Sequence, residues 1–130
     1  MSLFDSTARL LMGTTYAVLG YDAFREPGGR VGLASDTLSG LRRVLPLPAD
    51  DELVVRGNGA VQAASGALLA LGIMPRLSAT VLAGSMVPTT FAGHAFWTVE
   101  DPAARKMQRV QFLKNAAMIG GLLALAARKG

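Results

Sequence analysis

Residues 57–99 read GNGAVQAASGALLALGIMPRLSATVLAGSMVPTTFAGHAFWTV, and a single charge, Arg76, interrupts them. The uncharged runs on either side of Arg76 are 19 and 23 residues long. A helix needs about 20 residues to cross the hydrocarbon core of a bilayer, so both runs have membrane-spanning length. The sequence therefore predicts two transmembrane helices, and the short hinge at Pro75-Arg76 makes them antiparallel neighbours.

Two shorter uncharged runs, 10–21 and 115–127, continue the pattern towards both ends of the chain. The charges that bound them, Asp22 and Lys114, stand inside otherwise apolar segments. A length of 130 residues allows one domain. We therefore expect an all-α fold, a single four-transmembrane-helix antiparallel bundle with spans at about 7–24, 53–74, 77–96 and 108–127.

The long connection between the first two spans contains a short amphipathic helix, predicted over residues 35–45. Leu38, Leu41 and Leu45 form one stripe, with Arg42 and Arg43 beside it. This pattern suits a helix that lies in the lipid headgroup region, and it suits equally a loop helix that packs on the end of the bundle.

Small side chains recur at helical spacing on the first two spans. They let neighbouring backbones approach closely in a membrane, so we expect these faces to pack against other helices, within the chain, in a homo-oligomer or in a partner protein. The face of span one carries Arg9, Gly13, Tyr16 and Gly20, and that of span two carries Gly59, Ala63, Gly66 and Ala70 beside a polar stripe of Asn58, Gln62 and Ser65.

Composition excludes several classes of function. Without cysteine the chain has no disulfide, thiolate metal site or iron–sulfur cluster of its own. A single histidine also offers few ligands for a metal ion. We therefore expect no metal and no intrinsic cofactor. The formal charge of +4 does not indicate nucleic-acid binding, because the basic residues stand near the ends of apolar runs. The N-terminus lacks a basic leader, which favours a retained first helix.

Polar residues of the spans concentrate in one half of the predicted membrane domain, towards the two longer loops. Asp22 is the only acid within a span, and we expect it to pair with Arg56 or Lys114, with His94 close in depth. Single members have simpler explanations: long basic side chains reach the headgroups, and His94 can pack at the interface. The candidate small-molecule site comprises Asp22, Arg56, Asn58, Gln62, His94, Lys114 and Asn115.

Several short segments together resemble the DoxX family of small bacterial membrane proteins, in its actinobacterial form. The resemblance is closest over residues 56–126 and looser over span one. The segments are RGNGA at 56–60, LGIMPR at 71–76, VPTTFAGHAFW at 87–97, QFLKN at 111–115 and GGLL at 120–123.

The resemblance implies a four-helix protein of the cytoplasmic membrane. Relatives are associated with thiosulfate:quinone oxidoreductase subunits, and in mycobacteria with a complex that joins a sulfurtransferase to a secreted superoxide dismutase. The family has no firmly established catalytic residues, so the resemblance assigns none here.

Three functions remain open. The preferred one is a non-catalytic membrane subunit that anchors or organises an oxidoreductase complex, with a quinone or small-molecule pocket at the polar cluster. The second is a quinone-reactive subunit, in which His94 or Lys114 binds a quinone carbonyl and Asp22 transfers protons. The third is a small-solute carrier or channel. Eight basic residues flank the longer loops against four at the other side, which predicts cytoplasmic long loops and external termini.

Overall fold

A computed structural model describes residues 2–128, and these are helical with no strand among them. Each predicted span overlaps one long helix, but the helices of the second and third spans end at Leu71 and Gly93, three residues before the predicted limits. Lys129, which entered the count of basic residues, and Gly130 lie outside the described residues. The helices are α1 (Leu3–Arg25), α2 (Arg30–Leu41), α3 (Asp51–Leu71), α4 (Pro75–Gly93) and α5 (Pro102–Ala127), with a 3₁₀ turn at Phe96–Thr98 before α5.

Local sequence signals explain where the helices begin and end. Asp50 caps α3 by accepting a hydrogen bond from the backbone of Glu52 at 3.0 Å, and Asp101 caps α5 ahead of Pro102. Gly72 ends α3 in the left-handed region, with φ of 75°. That turn leads directly into α4 and produces the predicted antiparallel pair.

The closest helix contact joins α1 to α3, and glycines make it possible. A β-carbon on Gly13 would lie 2.5 Å from the backbone nitrogen of Ala70 and from the carbonyl oxygen of Gly66. Gly20 faces Gly59 in the same way, so the two helices run antiparallel with their backbones in contact. The predicted packing role of both small-residue faces is confirmed, and each face is covered by the other.

The core lies where α4 and α5 close over the α1–α3 pair. Tyr16, Leu69, Leu82 and Leu122 are its largest fully buried side chains, one from each long helix. α4 continues as a helix through Pro88. The hydroxyl of Thr90 donates to the carbonyl oxygen of Met86 at 2.7 Å, which satisfies a backbone acceptor near the proline.

The loop helix differs from its prediction. α2 covers Arg30–Leu41, not residues 35–45, because Pro46 disfavours helical backbone at Leu45 and the chain turns after Leu41. Leu38 is buried, Leu45 is exposed, and α2 contacts both α4 and α3. These contacts match the alternative in which the helix packs on the end of the bundle.

The outer surface is strongly apolar. Leucines, valines and aromatic residues are exposed along every long helix, and Leu122 is the one buried residue of α5. By length and composition, α5 is the one described helix that is apolar enough to cross a membrane. Charged ends and many glycines, serines and threonines lower the hydropathy of α1, α3 and α4, and a count of uncharged residues overlooks this.

Candidate functional site

A group of four polar side chains joins α3 to α4 in the interior, and we call it the interhelical network: Asn58, Gln62, Ser85 and Thr89. Asn58 donates to the hydroxyl of Thr89 at 2.8 Å and accepts from the hydroxyl of Ser85 at 2.5 Å. Gln62 donates to Ser85 at 3.0 Å and to Thr89 at 3.2 Å. The four side chains therefore form a closed set of hydrogen bonds.

Both hydroxyl donors of the interhelical network are committed within the protein. The Thr89 hydroxyl donates to the carbonyl oxygen of Ser85 at 2.9 Å, and the Ser85 hydroxyl donates to Asn58. An isolated polar group in an apolar interior costs about 1–3 kcal/mol, so mutual pairing explains why these residues are tolerated there. Sequence analysis named Asn58 and Gln62 but missed Ser85, which lies four residues before Thr89 on the same helical face.

The predicted partnership between Asp22 and two basic residues is wrong. Arg56 forms an ion pair with Glu52 at 3.0 Å and donates to the carbonyl oxygen of Phe24 at 2.8 Å. Asp22 is exposed instead, on an open surface cavity of about 190 Å³ that it lines with Tyr21, Arg25 and Glu26. The i,i+4 spacing of Glu52 and Arg56 gives them a nearer partner than any contact between helices.

Arg56 is one of three arginines that bind the carboxyl end of another helix. Arg9 donates to the carbonyl oxygen of Leu69 near the end of α3, at 3.5 Å. Arg76 donates to the carbonyl oxygen of Ala126 at the end of α5, at 3.0 Å. Unpaired carbonyls and the helix dipole make each helix C-terminus attractive to a cation. These arginines therefore connect helices and are not free for ligand chemistry.

His94 follows the last residue of α4 and lies against the start of α5. Its Nδ1 atom is 2.7 Å from Oε1 of Gln108, and the ring is half-buried. Lys114 is exposed, and Asn115 is partly buried; neither side chain hydrogen-bonds to another described residue. The seven predicted site residues therefore occupy separate places, and only Asn58 and Gln62 share partners.

Four aromatic rings pack beside His94, and we call them the aromatic cluster: Phe91, Phe96, Trp97 and Phe112. All five of their recorded pairs are edge-to-face, with centroids 5.3–6.0 Å apart. Trp97 and Phe91 are each about half exposed. Trp97 is the one amphipathic ring of the cluster, and tryptophan favours the membrane–water interface, so in a bilayer the cluster would lie at that level, at the end of the molecule with the longer loops.

The described residues present no complete catalytic constellation. No three histidine or acidic side chains among residues 2–128 converge as metal ligands would. His94 has an amide partner, and the interhelical network contains amides and hydroxyls without an ionisable group. The arrangement can bind a carbonyl or hydroxyl group and can hold helices together, but it lacks a paired acid and base.

Comparison with known proteins identifies the family. The DoxX family model matches residues 4–95, so the chain belongs to the DoxX family. The match includes α1, where a looser resemblance was expected, and it ends before α5. No match is found among curated proteins or among solved structures. The family is membrane-associated and linked to oxidoreductase-like roles.

Proposed function

We propose that this DoxX-family protein is a four-span integral subunit of the cytoplasmic membrane that anchors or organises an oxidoreductase complex without catalysing the redox step itself. One observation carries the proposal: apolar side chains cover the outside, whereas the four polar side chains of the interhelical network are hydrogen-bonded to one another. A lipid-facing bundle needs this distribution, because polar groups in hydrocarbon require internal partners.

The absence of cysteine supports the non-catalytic part of the proposal. The chain has no thiol with which to carry sulfur or electrons. Arg9, Arg56 and Arg76 each bind the carboxyl end of another helix. The redox centre therefore belongs to a partner that this subunit holds at the membrane.

Purification in mild detergent tests the anchoring role. We expect an oxidoreductase to co-purify at fixed stoichiometry and to leave the membrane fraction when the gene for this chain is deleted. A chain that purifies alone from native membranes, with the oxidoreductase distribution unchanged after deletion, would refute anchoring. Solute flux in liposomes under the same conditions would favour the carrier alternative.

A quinone-reactive subunit is the second candidate, and the setting of His94 favours it. A half-buried imidazole beside four aromatic rings offers a hydrogen bond and apolar walls, which a quinone ring could use. This reading predicts quinone reduction or oxidation by the purified chain alone, lost in His94→Gln.

The proton-transfer part of that candidate has its own test. Asp22→Asn would also abolish quinone activity if Asp22 moves protons. Glu26→Gln, in the same surface cavity, is the matched control. Activity of the isolated chain that depends on either His94 or Asp22 would overturn the non-catalytic assignment.

A further inference from the structure

The basic residues of the chain divide sharply by what they contact. Seven of the twelve described basic side chains bond to a protein group: Arg9, Arg25, Arg30, Arg42, Arg56, Arg76 and Arg128. The other five make no ion pair or hydrogen bond with residues 2–128. Four of those five lie on α5 within ten residues, and we call them the basic collar: Arg105, Lys106, Arg109 and Lys114.

The basic collar straddles the level that the aromatic cluster marks. Phe112 contacts Trp97 and lies within the cluster. At 1.5 Å per residue, Arg109 is about 4.5 Å from Phe112 towards the start of the helix, and Lys114 is about 3 Å away in the other direction. The collar therefore spans the boundary between hydrocarbon and water.

The collar also lies on the outer side of the helix. At 100° per residue, its four positions spread over about half the circumference of α5, on the side away from α4. All four side chains are exposed. Lipid headgroups lie at the boundary on this outer side, and as small mobile ligands they can reach all four side chains there.

We propose that the basic collar binds the phosphate groups of anionic phospholipids in the leaflet at this end of the molecule. Basic side chains near a membrane surface attract anionic lipids, with about a fivefold gain in association for each residue. Arginine suits this ligand because its guanidinium offers paired donors to a phosphate. Glu100 and Asp101 at the helix start are the nearby acids, and Asp101 is committed to its capping bond.

Trp97 is a built-in reporter for this binding, since it is the single tryptophan of the chain and packs against Phe112. The full-length protein is placed in phosphatidylcholine bilayers that contain a fixed fraction of either brominated phosphatidylcholine or brominated phosphatidylglycerol. We expect the anionic lipid to associate near Trp97 about fivefold or more above the neutral lipid. Raising the salt concentration lowers this ratio towards one.

The matched variants assign the effect to the collar. R105Q/K106Q/R109Q removes three of the four collar charges and is expected to lower the ratio at least several-fold, and R25Q/R30Q/R43Q, with the same loss of charge at the same end, is expected to keep it. Quenching by the neutral brominated lipid reports insertion separately, so a folding or insertion failure is distinguishable. The measurement uses the purified chain and lipids without a partner protein, so this test is independent of the proposed oxidoreductase role.

Three results would overturn the proposal. The first is equal association of both lipids with the wild type, and the second is an equal loss in the two triple variants. The third is suppression of the ratio by inorganic phosphate beyond the effect of chloride at the same ionic strength, which would assign the collar to free phosphate. If the protein shows no lipid preference, a photo-crosslinker at the exposed Met107 tests for a protein ligand. Capture of an acidic oxidoreductase would assign the surface to that protein.

Discussion

Single glycines determine how closely α1 and α3 approach. Gly66 is the clearest case, because a β-carbon there would lie 2.6 Å from the backbone nitrogen of Ala17 and 2.7 Å from the carbonyl oxygen of Gly13. Backbone atoms cannot move aside as a flexible side chain can. The face of small residues is therefore a steric requirement of this helix pair.

We predict that Gly66→Val lowers the free energy of unfolding in detergent by about 1–3 kcal/mol, because the added atoms must separate the two helices. Gly84→Ala is the matched control, since a β-carbon there meets nothing within 4 Å. The control is expected to be neutral or to gain up to about 1 kcal/mol of helix propensity. Equal destabilisation by both variants would contradict the close packing of α1 on α3.

The interhelical network makes a second prediction at this scale. A double-mutant cycle with Gln62→Ala and Ser85→Ala should give a coupling free energy of about 0.6 kcal/mol and at most about 1.7 kcal/mol, the mean and the maximum found for hydrogen bonds between membrane helices. Gln62→Ala combined with Thr80→Ala is the control, because the Thr80 hydroxyl bonds to the carbonyl of Arg76 within its own helix. Coupling no larger than that of the control would show that the network does not join the helices.

At the scale of elements, arginines tie one helix to the end of another at both ends of the bundle. Arg56 binds the carboxyl end of α1, and Arg76 binds that of α5. Arg128, just beyond α5, forms an ion pair with Asp5 of α1 at 2.6 Å. Leu122 is the one fully buried residue of α5, so these end contacts add to the attachment that its packing on α4 provides.

We predict that Arg76→Gln loosens the last turn of α5, because the carbonyl oxygen of Ala126 loses its charged donor. Amide hydrogen exchange should rise over residues 123–127 while exchange in α3 stays unchanged. Arg43→Gln removes a charge that contacts no described residue, and it should leave α5 as it is. Unchanged exchange in Arg76→Gln would mean that other contacts alone hold the end of α5.

At the scale of the whole molecule, sequence analysis predicted the positions of the long helices better than the site. Charge-free runs are local features, so they are readable in order along the chain. The partner of Asp22 was predicted from depth alone, although depth does not say which side of a helix a residue occupies. The i,i+4 spacing of Glu52 and Arg56 indicates their ion pair, but no local spacing shows that Arg56 also binds a carbonyl of α1.

The central claim is that the four long helices cross the membrane, and the cysteine-free chain allows a direct test with single-cysteine variants. Gly29→Cys and Glu100→Cys probe the longer loops, and Ser2→Cys and Ile73→Cys probe the opposite end of the bundle. With an impermeant maleimide on intact cells, the account predicts labelling at Ser2→Cys and Ile73→Cys, and labelling of the other two only after permeabilisation. The reverse pattern would invert the orientation and keep the four spans. Equal accessibility of all four positions from one side would contradict the claim.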